Sequence, residues 1–275
     1  MKIVKEIDKD ILSLETCLIP TMGALHDGHI ELIKEGKKLK LPLIVSIFIN
    51  PIQFNDKHDF ANYPKTIEKD IEILNKLEVD YLFIPDSEYI YPSNAFESID
   101  SGELGRKYEG ESRPGHFDGV LTVVNRLFEL IEPKAAIFGK KDAQQLFLIK
   151  KLILDKKYKI QIIECKTVRD NNGLALSSRN VLLSKKGENI ATSIKKILNE
   201  TKKNFLTSKD IEKSLMETRE KLFTKNLKID YLEILDYQTF CKPTKISNSY
   251  IIVIAAYVEG IRLIDNLDFQ LEETL

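Results

Sequence analysis

Residues 19–29 read Ile19-Pro20-Thr21-Met22-Gly23-Ala24-Leu25-His26-Asp27-Gly28-His29. The apolar run Cys17-Leu18-Ile19 leading into them has the character of a buried strand. The run Ile30-Glu31-Leu32-Ile33-Lys34-Glu35-Gly36 that follows has helical spacing. The stretch is therefore a strand, a tight glycine turn and a helix N-terminus. That geometry aims backbone N–H groups and the positive end of a helix dipole at whatever the turn holds. A lone histidine is more often a surface or satisfied core residue. Here two of the chain's four histidines, His26 and His29, share one glycine turn. The pairing favours a bound anion, a phosphate first, handled during a reaction. Metal binding fits less well, because the spacing is not i, i+4 and no cysteine or third histidine is near.

Outward from this turn, strand and helix alternate. Leu41–Ile49 is a nearly continuous apolar run, as in a strand covered on both faces, and Asn50-Pro51-Ile52-Gln53-Phe54-Asn55 ends it. A helix is expected over 66–77, a strand at 81–84, a helix over 120–130, a strand at 135–138, a helix over 145–154 and a strand over 160–165. Residues 86–117 lack a long periodic run, and so read as a lid or binding loop. The pattern predicts an α/β fold with a parallel sheet and helices on both faces. Ligands of such sheets bind beyond the carboxyl ends of the strands, so residues 19–29, 50–55 and 139–145 should line one crevice. After about residue 183 the pattern changes to a smaller α+β unit. It has two amphipathic helices, over 185–198 and 208–223, and strands at 229–235, 250–258 and 261–267, the last two flanking a tight Glu259-Gly260 turn. The expected domains are 1–175 and 176–275.

Composition narrows the classes. The chain has 275 residues, 43% hydrophobic and 30% charged, with 41 basic and 42 acidic side chains. A net charge of −1 supplies no field to gather nucleic acid. The three cysteines, Cys17, Cys165 and Cys241, are odd in number and far apart, which points away from a disulfide scaffold and toward a reducing compartment. The N-terminal residues carry charges too often for a secretory leader, and no apolar run approaches the ~20 residues of a membrane span. The expected location is cytosolic.

Three further motifs carry chemistry. Gly139-Lys140-Lys141-Asp142-Ala143-Gln144-Gln145 is either a solvated strand end or a lysine reaching phosphate oxygens, with Gln145 offered to a substrate. Ser177-Ser178-Arg179 alone would be a linker and helix cap. On a glycine-flanked loop its hydroxyls and guanidinium suit a triphosphate. Asn50 and Gln53 sit where a neutral amide suits a hydroxyl or carboxylate. Arg113-Pro114-Gly115-His116-Phe117 is a further cation-bearing turn.

Taken in order, Pro20 to His29, Phe48 to Phe54, Gly139 to Gln145 and Gly173-Leu174-Ala175-Leu176-Ser177-Ser178-Arg179-Asn180 resemble the pantoate–β-alanine ligases (pantothenate synthetases). The resemblance covers about residues 16–184. It implies a Rossmann-like nucleotidyltransferase domain binding ATP and pantoate, a smaller C-terminal domain with a mobile phosphate loop at its start, and a homodimer. His26-Asp27-Gly28-His29 is similar to the His-x-Gly-His signature of that superfamily. The implied reaction is adenylation of pantoate by Mg-ATP, then attack of the β-alanine amine to give pantothenate and AMP. Carried over by position, ATP would be contacted by Met22, Gly23, Ala24, Leu25, His26, Asp27, Gly28, His29, Gly139, Lys140, Lys141, Asp142, Val168, Leu176, Ser177, Ser178 and Arg179. His29 would be the proton donor, with His26, Lys141, Ser177, Ser178 and Arg179 completing the catalytic set. Gln53, Gln145 and Asn50 would bind the organic substrates, and Asp70 is the one candidate ligand for Mg²⁺.

No covalent enzyme nucleophile is needed for this reaction, and no Cys–His or Ser–His–Asp pairing is evident. The adenylate must be shielded from water, and residues 55–64 are the expected gate. The chain departs from the family pattern at Lys140, where an acidic residue is expected, at Asn172 for Asp and at Leu182 for Tyr. The Lys140 change implies a more positive crevice rim. Two other readings compete. One is a nucleotidyltransferase acting on a phosphate, which would lack residues 50–54 and Gln144-Gln145 as they stand here. The other is a nucleotide-binding regulatory module without turnover.

Overall fold

The structure, a computed structural model, describes residues 1–55, 60–61, 63–93, 96–222 and 226–271. Half of the expected gate over 55–64, residues 56–59 and 62, lies outside the described residues. By its contacts the chain divides into two units. The first is Met1–Lys140 with Gln144–Lys166, and the second is Lys141–Ala143 with Thr167–Leu275. The division falls earlier than the expected 175/176. Residues 169–175 turn back on themselves through an Arg169–Ala175 bridge. The Arg169 guanidinium then grips Asp265 with two hydrogen bonds of 2.6 and 2.8 Å. These contacts tie the segment to the C-terminal strands.

The first unit is the expected doubly wound parallel sheet. Its strands are β1 (Lys2–Val4), β2 (Cys17–Thr21), β3 (Leu43–Ile47), β4 (Tyr81–Phe83), β5 (Ala135–Gly139) and β6 (Gln161–Cys165). They lie in the order β1-β4-β3-β2-β5-β6, and every adjacent pair is parallel. Successive side chains of a strand enter opposite faces. Leu18, Ile44, Phe83 and Ala136 thus join one core, with Val120, Leu127, Leu146 and Ile149 from the helices His116–Ile131 and Ala143–Lys156. Ile19, Val45, Leu82 and Ile137 join the other, with Ile33 and Leu74 from the helices Asp27–Lys38 and Ile67–Lys76. Burial on both faces is why these strands are continuously apolar in sequence. The chain runs from β2 outward through β3 to β4, then returns to place β5 on the other side of β2. The carboxyl end of β2 is therefore a topological switch point, where ligands of open sheets bind.

The described residues of 86–117, expected as a lid or binding loop, are held by hydrogen bonds to neighbouring helices. The described part carries short helices at Ser87–Ile90 and Glu109–Ser112. The backbone N–H groups of Ile99 and Ser101 donate to Thr122 and Asp118 of the His116–Ile131 helix. Gln144 Nε2 donates to the carbonyls of Leu104 and Lys107 at 2.8 and 2.9 Å. Side chains from remote elements supply the hydrogen bonds that periodicity would otherwise announce.

The second unit has a three-stranded antiparallel sheet, β7 (Lys228–Asp236), β8 (Ser249–Val258) and β9 (Ile261–Gln270), with helices Lys185–Ala191, Ser193–Ser208 and Ile211–Leu222. Ile197, Leu198 and Phe205 pack on Tyr250, Ile252 and Ile254 in its core. The β8–β9 turn has positive φ at both Glu259 (52°) and Gly260 (81°), as a type I′ hairpin requires. The expected helix over 185–198 is instead two helices meeting at Thr192. The Thr192 hydroxyl donates to the Asn189 carbonyl at 2.7 Å, the local bonding that competes with regular helix.

Candidate active site

The carboxyl end of β2 leads directly into the glycine turn. Thr21 Oγ1 donates to the Ser46 carbonyl and accepts from Gly23 N–H, which closes the turn against β3. Gly23 has φ +78°, and a Cβ there would sit 3.0 Å from an oxygen of Asp70, so the position requires glycine. Asp70 is 1% exposed on the Ile67–Lys76 helix. Its two oxygens accept the N–H groups of Ala24 and Leu25 at 2.9 Å each, and Thr66 Oγ1 donates to the same carboxylate. Asp70, the expected Mg²⁺ ligand, is a buried clasp on the turn, with both carboxylate oxygens accepting backbone N–H groups. Among the described residues, no group of three or more His, Cys, Asp or Glu side chains could hold a metal ion. Two of the N–H groups expected to face a phosphate are taken up by Asp70.

His26 caps the Asp27–Lys38 helix. Its Nδ1 accepts from Gly28 N–H at 3.1 Å, and its own N–H donates to His29 Nδ1 at 3.3 Å. The rings lie 4.2 Å apart between centroids. With each Nδ1 accepting, the neutral ring proton sits on Nε2 in both residues. Each imidazole is thus set as a hydrogen-bond donor through Nε2.

Beyond β3, Asn50 is 1% and Gln53 6% exposed. Asn50 Nδ2 donates to Gln53 Oε1 and to the Gly119 carbonyl, both at 3.0 Å. Gln53 Nε2 lies 3.0 Å from Met22 Sδ, which brings the second motif to the glycine turn. A Cβ on Gly119 would meet the Ile52 carbonyl at 2.5 Å and Gln53 Cα at 2.6 Å, so this helix position requires glycine for close approach. Arg113 lies 2.9 Å from His116 Nε2, and His116 Nδ1 lies 2.9 Å from the Gln53 carbonyl. Guanidinium only donates. His116 therefore accepts at Nε2 and donates from Nδ1 to Gln53. Tyr91 and Gly119 lie in no motif of the sequence, and His116 and Gln144, which do, owe their structural roles to partners that only the tertiary fold reveals.

At the end of β5, Lys140 N–H donates to the Cys165 carbonyl, and its ammonium pairs with Glu164 at 4.0 Å. Gln145 is half-buried, whereas its neighbour Gln144 is buried in the packing described above. In the second unit, Lys141 Nζ lies 3.3 Å from Asp142, and the Lys141 carbonyl accepts from Asn266. Leu176 N–H donates to the Val168 carbonyl. Ser177 Oγ accepts from Arg179 N–H, and the Ser177 carbonyl from Asn180 N–H, giving Ser177-Ser178-Arg179 a compact turn. Asp170 accepts two backbone N–H groups, from Asn172 and Leu174, shaping the loop ahead of it.

The first unit thus brings Met22, His26, His29, Asn50 and Gln53 to the switch point, and the second holds Ser177-Ser178-Arg179 in one turn. The family model described as pantoate-beta-alanine ligase matches residues 2–268. The pantothenate synthetase of Pseudothermotoga lettingae is 39% identical over 270 residues, covering 96% of this chain and 95% of that protein. That of Buchnera aphidicola subsp. Acyrthosiphon pisum is 43% identical over 97% of this chain and 93% of its own. Two crystal structures are similar over nearly the whole chain. The pantothenate synthetase of Thermus thermophilus superposes with a TM-score of 0.87 at 33% identity, covering 97% of this chain and 99% of that one. The Francisella tularensis pantoate-beta-alanine ligase, complexed with beta-gamma ATP and beta-alanine, gives 0.79 at 38% identity, covering 97% of each. The chain belongs to the pantoate–β-alanine ligase family.

Proposed function

We propose that this chain joins pantoate to β-alanine at the expense of ATP, with pantoyl adenylate as the intermediate. The pantoate carboxylate oxygen bonds to the α-phosphorus as pyrophosphate departs. The β-alanine amine then attacks the acyl carbon, AMP leaves, and the amine loses a proton. A carboxylate is a poor acyl donor because its leaving group would be oxide, and adenylation replaces oxide with AMP.

The enzyme's task is alignment and charge stabilisation at the transferring phosphoryl group. The observation that carries the reading is the paired imidazoles, each with Nδ1 occupied and Nε2 set as donor. His29 donates to the phosphoryl oxygens with His26 beside it, and Met22 to Gly28 surround the nucleotide. Gly139, Lys140, Lys141, Asp142, Val168, Leu176, Ser177, Ser178 and Arg179 complete the ATP contacts, the cations meeting the phosphates. Gln53 and Gln145 bind pantoate, with Asn50 supporting Gln53. Magnesium enters as MgATP, held mainly by phosphates and water. A homodimer and a cytosolic location belong to the same reading. The described free thiols suit a reducing compartment.

Pyrophosphate release from MgATP and pantoate, with and without β-alanine, tests it. About one equivalent without the amine, and catalytic release with AMP formation when it is added, is the expected result. No pantoate-dependent pyrophosphate would overturn the reading.

A further inference from the structure

Resting on that reading, we propose that Tyr91 is a positioning residue. Through Asn50 it decides which end of the Gln53 amide is offered to the pantoate carboxylate. Tyr91 O–H donates to Asn50 Oδ1 at 2.7 Å. The other end of the same amide faces the Gly119 carbonyl, which can only accept, so Asn50 is oriented from both sides. Its Nδ2 must then donate to Gln53, which turns Oε1 of Gln53 inward and leaves Nε2 at Met22 Sδ. Thioether sulfur is a weak acceptor, so that donor is poised for a stronger one. A carboxylate oxygen is such an acceptor, whereas a ligand offering only N–H or O–H donors is not.

The relay acts on the side chain alone. The Gln53 backbone is held separately by His116 Nδ1 and by close packing on Gly119. Burial pushes the Tyr91 phenol up from its ordinary value, which keeps it a protonated donor. Its ring packs edge-on to Phe48 at 6.1 Å and tilted on Phe96 at 4.8 Å, contacts that phenylalanine would keep.

The test is steady-state pyrophosphate release by intact wild type, Tyr91→Phe and Asn50→Asp, with a melting curve for each. Tyr91→Phe should raise KM for pantoate about five- to tenfold, from the loss of one buried hydrogen bond. Its kcat and KM for ATP should stay within about twofold of wild type. Asn50→Asp cannot donate to Gln53 Oε1 and should raise KM for pantoate further, which carries the test if Tyr91→Phe does not fold. An unchanged KM for pantoate, or a rise matched by KM for ATP, would overturn the relay. Wild type without pantoate-dependent release would instead overturn the functional reading.

Discussion

His26 and His29 each use Nδ1 to satisfy a backbone donor at a helix start, where orphan N–H groups are otherwise exposed. His29→Ala is expected to lower adenylate formation by a factor on the order of 10² or more. Near-normal pyrophosphate release would remove His29 from the mechanism. Asp70 is a carboxylate beside the turn whose two oxygens accept backbone N–H groups. Asp70→Asn leaves one turn N–H facing an amide donor, and should cost about 2–3 kcal/mol in denaturant unfolding. Its Mg²⁺ dependence should match wild type; a shifted requirement at unchanged stability would return Asp70 to the metal. Burial, and then the charge of Cys165, pushes the Cys17 thiol up to about 12, while burial pushes Cys165 up to about 11. A thiol reagent should therefore label only exposed Cys241 in the native chain, and all three cysteines after unfolding.

At the scale of elements, the substrate end of the site depends on how closely the His116–Ile131 helix approaches the short 3-10 turn Pro51–Gln53. Gly119 permits that approach. Gly119→Ala must push the helix away from Gln53, with an expected cost of about 2 kcal/mol or more. Pantoate-dependent activity should fall more than ATP binding does, and a variant with wild-type melting and KM for pantoate would refute the packing argument. The 86–117 segment teaches a related lesson. Side chains of Thr122, Asp118 and Gln144 anchor its backbone. Each of these bonds joins residues 17 to 40 positions apart, so the segment's order is invisible to local periodicity.

At the scale of the whole molecule, the order of strands makes the site: β2 ends where the sheet's winding reverses, and the histidine turn begins there. The family resemblance implies a dimer, and sedimentation equilibrium should return twice the chain mass; a monomer would leave that part of the reading behind. The sequence by itself determined the alternation of buried strands and amphipathic helices, the glycine turn with its paired histidines, and the Glu259-Gly260 hairpin. Each depends on residues adjacent along the chain or repeating at a helix or strand period. Only the tertiary structure decided that Asp70 clasps the turn and that Tyr91 and Asn50 orient Gln53. It likewise assigned residues 169–175 to the C-terminal strands through Arg169 and Asp265. Those are contacts between residues distant in the chain, chosen by packing and by the need of buried polar groups for partners, and no spacing in the sequence encodes them.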